Sequence, residues 1–281
     1  MTLEPLTLAL VLLSALMHAS WNLIAKLGSD RLVAIAVMKL PNLLVALLIL
    51  AFAGLPDPAS WPYLLVSAMV NCLYFYFLIK AYQGDLSLAY PVARGMAPLC
   101  VLILSAFAAR EVPTPGGMAG VVLISIAILA LAIRRGAAPG HYTTLLWGGA
   151  VGMVIAVYTV IDGLGGRLAG NTAGYVAALS ALTALGVCGA AFAQRGHAVV
   201  QALRSHWKHG LAGGILMLLP YMIVVHAMTL APMAQIAALR ESSVIFAAIL
   251  GVAFLREPFG GRRILASTVM AAGIALLALG Y

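Results

Sequence analysis

The sequence predicts an all-α integral membrane protein with ten transmembrane helices, arranged as two inverted five-helix repeats. Three observations predict this fold class. Apolar runs of about 20 residues, long enough to cross the hydrocarbon core of a bilayer, recur along the whole chain. Only 9% of the residues are charged and 64% are hydrophobic, whereas about a quarter of an ordinary soluble domain is charged. Finally, the second half repeats features of the first at an offset of 146 residues.

The internal repeat places charged residues at matching positions in the two halves. The offset superposes Arg94 on Arg240, and Glu111 on Glu257. A basic, glycine-containing stretch at residues 134–140 separates the halves, so we predict repeat domains at residues 1–137 and 142–281. Five spans per half is an odd number, so the second half must insert upside down relative to the first. This arrangement is typical of transporters whose site lies near the bilayer midplane.

Glycine, proline and charged residues divide the chain into ten apolar segments. Span one follows Glu4 rather than a basic region and contains His18, so we expect a retained span rather than a cleaved signal peptide. Span eight is interrupted by Pro220, and Pro232 opens span nine. The expected spans lie near residues 5–26, 32–53, 61–82, 87–109, 116–134, 143–166, 172–193, 210–230, 233–254 and 262–280.

Lysine and arginine are distributed unequally between the loops. With the N-terminus outside, the inner loops hold 11 of these residues and the outer loops hold 2. The positive-inside rule therefore places both termini outside the cytoplasm. The longest loop, residues 194–209, contains three histidines as well as basic residues and is expected to lie on the membrane surface.

Arg94 and Arg240 are the strongest candidates for a functional role, because a charge inside the bilayer costs several kcal/mol and is rarely present without one. Each lies about 12 Å into its span, at 1.5 Å per residue. Arginine presents a planar fork of donors that suits carboxylate or phosphate oxygens. Two such forks from opposite halves are expected to bind one small anion between them. The alternative is a structural role, with the guanidinium groups bonded to backbone carbonyls.

Other polar residues within the spans extend this predicted site. Glu241 either binds a substrate amine or a proton, or neutralises Arg94 or Lys39 in the resting protein. Asp162 is a candidate coupling carboxylate, with a helix-end position as the alternative. His18 and Lys39 are further coupling candidates, although an intramembrane histidine is often a packing residue with satisfied hydrogen bonds. The remaining substrate-binding candidates are Trp21, Asn22, Tyr90, Tyr158 and Tyr221.

Several function classes lack their sequence signature. The chain has no Walker-type phosphate loop and none of the His-Glu-x-x-His, Gly-x-Ser-x-Gly or repeated-aspartate motifs. We therefore expect no enzyme activity, no cofactor and no metal. The net charge of +8 reflects topology rather than nucleic-acid binding. The expected partners are a small-molecule substrate and membrane lipids, with the chain acting as a monomer or homodimer.

Several segments together resemble the EamA-type proteins of the drug/metabolite transporter superfamily. The resemblance is carried by residues 17–22 (MHASWN), 86–92, 110–111, 239–246 and 255–258. It implies ten helices, a central cavity between the halves and secondary transport of small metabolites. Residues 90–95 together with Arg240-Glu241 also resemble a permease branch associated with phosphonate utilisation. An arginine pair with a carboxylate would suit a zwitterionic aminophosphonate.

The sequence thus favours a secondary transporter for a small anionic or zwitterionic metabolite in a bacterial-type inner membrane. Organophosphonates are among the expected substrates. The alternative within transport is an exporter of amino acids or amphipathic drugs, with structural arginines. An intramembrane transferase acting on a lipid-linked substrate is the alternative from another class, and the missing metal-diphosphate motif counts against it. A lipid-binding scaffold is disfavoured by the duplicated buried charges.

Overall fold

The computed structural model describes residues 4–26, 30–82, 86–132, 141–255 and 261–279. Within these ranges, all of the regular secondary structure is helical. A 3₁₀ turn at Pro58–Ser60 precedes the third helix. The α-helices are α1 Pro5–Lys26, α2 Arg31–Ala53, α3 Trp61–Tyr82, α4 Leu86–Ala108, α5 Pro115–Ala132, α6 His141–Leu168, α7 Thr172–Leu230, α8 Met233–Arg240, α9 Ser243–Leu255 and α10 Gly261–Leu279.

The outer surface of the helix bundle is apolar, as expected for contact with lipid. Phe52 and Phe107 are 90% and 83% exposed, and many leucines on α2, α3 and α6 are also exposed. Over the described ranges, nine helical stretches are long and apolar enough to cross a membrane. The chain is therefore a multi-pass membrane protein. The finer prediction of ten spans in two inverted repeats stays a prediction.

Helix α7 runs through the predicted spans seven and eight and the segment between them. Its 59 residues would extend about 88 Å if straight, nearly three times the roughly 30 Å hydrocarbon core. Backbone angles leave the helical region at Arg195 and His206, and these two kinks divide α7. The predicted surface segment, which contains both kinks, is otherwise helical and mostly exposed. Both arms of α7 return to α2, because Asn42 accepts from Ser180 Oγ (2.8 Å) and donates to the carbonyl of Gly214 (3.1 Å).

The start of α2 is joined to the first kink of α7 by Asp30. Its carboxylate caps α2 by accepting from the backbone N–H groups of Leu32 and Val33, and it pairs with Arg195 Nε at 3.2 Å. The hydrogen bond from Val33, supported by Arg195, lowers the pKa of Asp30 below its usual value. This contact fixes one end of the exposed α7 segment against the end of the bundle.

The predicted span nine is not one continuous helix. Helix α8 ends at Arg240, and a turn at Glu241 and Ser242 precedes α9. The backbone N–H of Glu241 bonds to the carbonyl of Ala238, and that of Ser242 bonds to Leu239, both three residues back. This local 3₁₀ spacing tightens the chain. It interrupts the helix at its two buried charged residues, which sequence periodicity did not predict.

Close helix packing positions the residues that matter for the site. A Cβ added at Gly148 or Gly152 of α6 would lie 2.9 or 2.8 Å from a carbonyl oxygen of α4. Only glycine permits this approach, which brings Tyr158 on α6 near Arg94 on α4. Gly210 and Gly214 bring α7 equally close to α2. Several helix contacts occur in related pairs. Helix α4 packs on α6, as α1 packs on α9, and α3 packs on α6, as α1 packs on α7. Helix α5 packs on α10.

Candidate functional site

A cavity of about 810 Å³ lies within the bundle. This volume falls in the range of small-molecule sites. Nine of the eleven predicted site residues contribute to its wall, and Glu241 and Asp162 do not. The nine are His18, Trp21, Asn22, Lys39, Tyr90, Arg94, Tyr158, Tyr221 and Arg240.

Arg94 is held from several sides at the wall of the cavity. Its Nη2 donates to Ser243 Oγ at 2.8 Å, and its Nε lies 2.8 Å from Glu241 Oε2. The guanidinium carbon is 6.0 Å from the centre of the Tyr90 ring. With its side chain only 7% exposed, Arg94 is a buried cation whose charge is already balanced by the protein.

Arg240 has a different environment, although it occupies the matching position in the repeat. Its side chain is 6% exposed, and its Nη2 is 4.0 Å from Glu241 Oε1. In the described part of the chain, Arg240 Nε is buried without a hydrogen-bond partner. A buried guanidinium with donors to spare is costly unless another acceptor reaches it. Arg94 has Glu241 and Ser243 at 2.8 Å, whereas the ionic contact of Arg240 is 4.0 Å long, so Arg240 has the greater capacity for a further acceptor.

Glu241 lies behind the cavity wall. Its carboxylate is 0% exposed and lies between Arg94 and Arg240, closer to Arg94. Of the two sequence-based interpretations, this geometry agrees with charge neutralisation of Arg94. A direct contact between Glu241 and a substrate amine requires a rearrangement, because the residue is not part of the wall.

Asp162 is also fully buried, but it has hydroxyl partners instead of a cation. Tyr175 donates to Oδ1 at 2.9 Å, Tyr221 donates to Oδ2, and Ser67 also hydrogen-bonds the carboxylate. Among these partners, Tyr221 belongs to the cavity wall. Asp162 is therefore one hydroxyl away from the cavity, which suits either a proton site or a buried structural acceptor.

Lys39 reaches the cavity from α2. Its Nζ donates to Thr183 Oγ1 at 3.3 Å. No carboxylate lies within ion-pair distance of Lys39 in the described ranges. Glu241 is one candidate counter-ion that the sequence suggests for Lys39, whereas the structure places the neutral hydroxyl of Thr183 beside it.

His18, Trp21 and Asn22 form a polar stripe on α1, and they hydrogen-bond to one another within that helix. Trp21 Nε1 donates to His18 Nδ1 at 3.2 Å, and Asn22 Nδ2 donates to the His18 carbonyl at 2.8 Å. The His18 and Trp21 rings meet edge to face at 5.2 Å. Through these contacts, His18 orients Trp21 at the cavity.

Aromatic rings form a continuous side of the cavity. Tyr158 meets Tyr74 edge to face at 6.1 Å and Tyr221 at 6.4 Å. The three rings come from α6, α3 and α7, so helix packing sets their spacing. They present a shared apolar surface to the cavity.

The ionisable side chains of the wall are strongly biased towards positive charge. Among the residues that the structure describes, the wall contains no aspartate or glutamate. Its lysine and arginine residues are Lys39, Arg94, Arg240, Arg262 and Arg263. Low-dielectric walls with charge of one sign raise the local concentration of ligands of the opposite sign. The cavity therefore favours an anionic ligand.

The two ends of the bundle differ. The cavity reaches the end where α3 and α5 finish and α10 begins, marked by Ala81, Leu131 and Arg262. At the opposite end, Arg167 pairs with Glu111 and donates through Nη2 to the Met228 carbonyl at 2.7 Å. The second oxygen of Glu111 accepts from the Met233 backbone N–H at 2.9 Å. These bonds join the chain before α5 to α6, α7 and α8 and close that end.

Residues 5–133 match the model of the EamA-like transporter family. The first half of the chain is EamA-like. The match relates this half of the chain to a family of transporters, in agreement with its apolar helices of membrane-spanning length. No curated protein matches the chain.

The architecture has a solved counterpart. A structure titled "Crystal structure of protein" aligns with a TM-score of 0.76 and 19% identity, covering 98% of each chain. At this identity the likeness establishes the fold alone. The alignment covers 98% of this chain, so the EamA-like first half lies within a fold that also includes residues beyond 133.

The structure adds residues to the candidate site that the sequence did not single out. Thr183 and Ser180 line the cavity beside Lys39, Asn71 lines it from α3, and Ser243 anchors Arg94. Single hydroxyl and amide groups in apolar helices carry no distinctive sequence signal. Their spacing of three on α7, for Ser180 and Thr183, gives only a weak indication of a shared face.

Proposed function

We propose that this protein is a secondary transporter that moves a small anionic or zwitterionic metabolite across a bacterial-type inner membrane by alternating access. The EamA-like match of the first half supports transport as the general activity. The proposed negative charge of the substrate rests on one observation, the composition of the cavity wall. Among the described residues, the wall has five lysine or arginine side chains and no acidic one.

In this proposal the two arginines have unequal roles. Arg240 binds the anion because it lines the cavity and its ionic contact with Glu241 is long, at 4.0 Å. Arg94, already paired with Glu241 and Ser243, supplies positive charge and a fixed wall. Trp21, Asn22, Tyr90, Tyr158 and Tyr221 provide aromatic and polar contacts around the anion. An organophosphonate is a suitable substrate, because its oxygens match the guanidinium fork.

Inverted repeats at residues 1–137 and 142–281 provide the two bodies that move around this site. The recurrence of related helix contacts in both halves supports this division: α4 on α6 corresponds to α9 on α1, and α3 on α6 corresponds to α7 on α1. The Glu111–Arg167 contact holds the predicted outer end closed. Its release on substrate movement would open that end while the predicted inner end closes.

Asp162 is the proposed coupling residue. Its carboxylate is buried among hydroxyl groups, and Tyr221 connects it to the cavity. Protonation of the Asp162 carboxylate removes a negative charge from the region between the cavity and the closed end. Substrate movement and proton movement then share one conformational change.

The aromatic side of the cavity favours a second candidate function, export of amino acids or amphipathic drugs. Tyr74, Tyr158 and Tyr221 present a broad apolar surface within about 810 Å³. Such a surface accommodates ligands larger than a simple anion.

A flux panel in proteoliposomes tests the proposed function. The purified full chain is reconstituted and supplied with phosphonates, carboxylates, amino acids, a neutral sugar and an amphipathic cation. We expect counterflow of anions or zwitterions that Arg240→Lys reduces, with no counterflow of the sugar. Counterflow restricted to the amphipathic cation would support the exporter, and anion flux unaffected by Arg240→Lys would contradict the proposed anion site.

A further inference from the structure

The cavity has a second cationic position, separate from the arginine pair. Lys39 lies on α2 and contacts Thr183 on α7. Arg94 and Arg240 lie on α4 and α8 and contact Glu241. Helix α1 contacts α2 and α7, which carry the first group, as well as α8, which carries Arg240. The two cationic positions thus face the same cavity from different walls and share no contact with each other in the structure described.

The Lys39 position is built from side chains that face the cavity. Thr183 Oγ1 accepts from Lys39 Nζ and donates to the Ser180 carbonyl at 3.1 Å. Ser180 Oγ donates to Asn42 Oδ1 at 2.8 Å. Lys39, Ser180 and Thr183 all line the cavity. The hydroxyl network therefore orients the ammonium group towards the space that a ligand would occupy.

A structural role does not account for Lys39. Asn42 already joins α2 to both arms of α7 through its bonds to Ser180 and Gly214. Glycine contacts between α7 and α2 hold the same interface at van der Waals distance. Replacing Lys39 by an apolar residue would remove one bond to Thr183 from this interface. An ammonium group has three donors, and the one bond to Thr183 leaves capacity for an anionic acceptor.

We propose that the transported substrate carries two separated acidic groups, one bound by Arg240 and the other by Lys39 with Thr183. This inference rests on the proposed function and specifies its substrate class. Glu241 lies 2.8 Å from Arg94 but 4.0 Å from Arg240, and Lys39 has no carboxylate within ion-pair distance in the described residues. A dianion with acidic groups at its two ends supplies one counter-charge at each position.

Matched ligand pairs test the inference in proteoliposomes that contain the full chain. Succinate, glutarate and adipate are each compared with their monoamides, in which a carboxamide of similar shape replaces one carboxylate. For the wild type we expect one dicarboxylate to be preferred over its monoamide by about tenfold or more, since a hydrogen bond to a charged group contributes roughly 1.4 kcal/mol or more, which is a factor of ten.

Variants then assign that preference to Lys39. Lys39→Met, of similar length, should abolish the dicarboxylate preference while monoamide flux is retained, and Lys39→Arg should keep the preference. Thr183→Val should weaken it without removing a charge, which gives a second test if Lys39→Met fails to fold. Lys80→Met is the matched control, because Lys80 lies outside the cavity wall.

The two proposals fail in different ways. If no dicarboxylate is preferred over its monoamide, or if the preference survives in both Lys39→Met and Thr183→Val, the two-group substrate is wrong. Monoamide flux that depends on Arg240 would still support anion transport in that case. If Arg240→Lys leaves the flux of every anion unchanged, the proposed function itself is wrong, and the inference with it.

Discussion

At the residue scale, two arginines that match in the repeat have different surroundings. Arg94 has Glu241 and Ser243 within 2.8 Å, whereas Arg240 has one ionic contact at 4.0 Å among the described residues. The difference follows from the turn after Arg240, which places Glu241 against the neighbouring helix rather than beside its own predecessor. This structural difference is the basis for the unequal roles that we propose for the two arginines.

Arg240→Lys should lower the apparent affinity for the transported anion by about tenfold or more while the protein remains folded, because a point charge replaces a bidentate fork. The measurement is the substrate concentration at half-maximal counterflow, together with the melting temperature in detergent. Arg204→Lys, on the exposed α7 segment, serves as the control. Unchanged affinity in Arg240→Lys would mean that this arginine is structural.

Glu241→Gln should lower the melting temperature and reduce the transport of all substrates together. The substitution leaves Arg94 as a buried cation without its counter-ion, and removal of one partner of a buried pair costs about 3–5 kcal/mol. The double variant Arg94→Gln/Glu241→Gln should recover part of this loss, as a double-mutant cycle measures. A stable Glu241→Gln protein that loses only zwitterionic substrates would instead assign Glu241 to amine recognition.

At the element scale, the main departure from the predicted helices lies at the site itself. The 3₁₀ turn between α8 and α9 interrupts a helix at Arg240 and Glu241. Helix packing also sets the environment of Asp162. Helix α6 supplies the carboxylate, and the two arms of α7 supply Tyr175 and Tyr221. The long α7 must turn back for both tyrosines to reach one aspartate.

Asp162→Asn should separate coupling from binding. The amide retains the shape of the carboxylate but cannot carry a coupling proton, so counterflow should persist while proton-driven accumulation is lost. Both activities are measured in the same proteoliposomes with and without an imposed pH gradient. Asp57→Asn, which keeps an oxygen to cap the exposed 3₁₀ turn, is the matched control. Accumulation that persists in Asp162→Asn would show that the residue is a structural acceptor.

At the scale of the whole molecule, the two ends of the bundle carry different chemistry. The closed end is joined by Glu111 and Arg167, and the cavity reaches the end bearing Arg262 and Arg263. The basic end corresponds to the predicted inner loops. The positive-inside rule therefore implies a cavity that is accessible from the cytoplasm in this conformation.

A C-terminal fusion tests the orientation. Alkaline phosphatase joined after Tyr281 should be active, and a fluorescent protein joined at the same place should remain dark, because both termini are expected outside the cytoplasm. The 11-to-2 distribution of loop Lys and Arg residues is the physical basis. A bright fluorescent fusion with inactive phosphatase would reverse the orientation and place the closed end at the cytoplasmic side.

The sequence by itself determined the membrane character and the helical class, and nine of the eleven residues that it singled out line the cavity. Apolar runs of spanning length and charges inside them are local properties, so Arg94, Arg240 and Lys39 stand out before any folding is considered. The EamA-like character of the first half likewise follows from local motifs and agrees with the match of residues 5–133.

Only the tertiary structure decided the partners of these residues. The pairs Arg94–Ser243, Lys39–Thr183 and Tyr221–Asp162 join residues 149, 144 and 59 positions apart. Periodicity describes the face of one helix, whereas a contact depends on how two helices pack and where each one bends. The kinks of α7 and the turn after Arg240 therefore determine which cation is already balanced and which remains available to an anion.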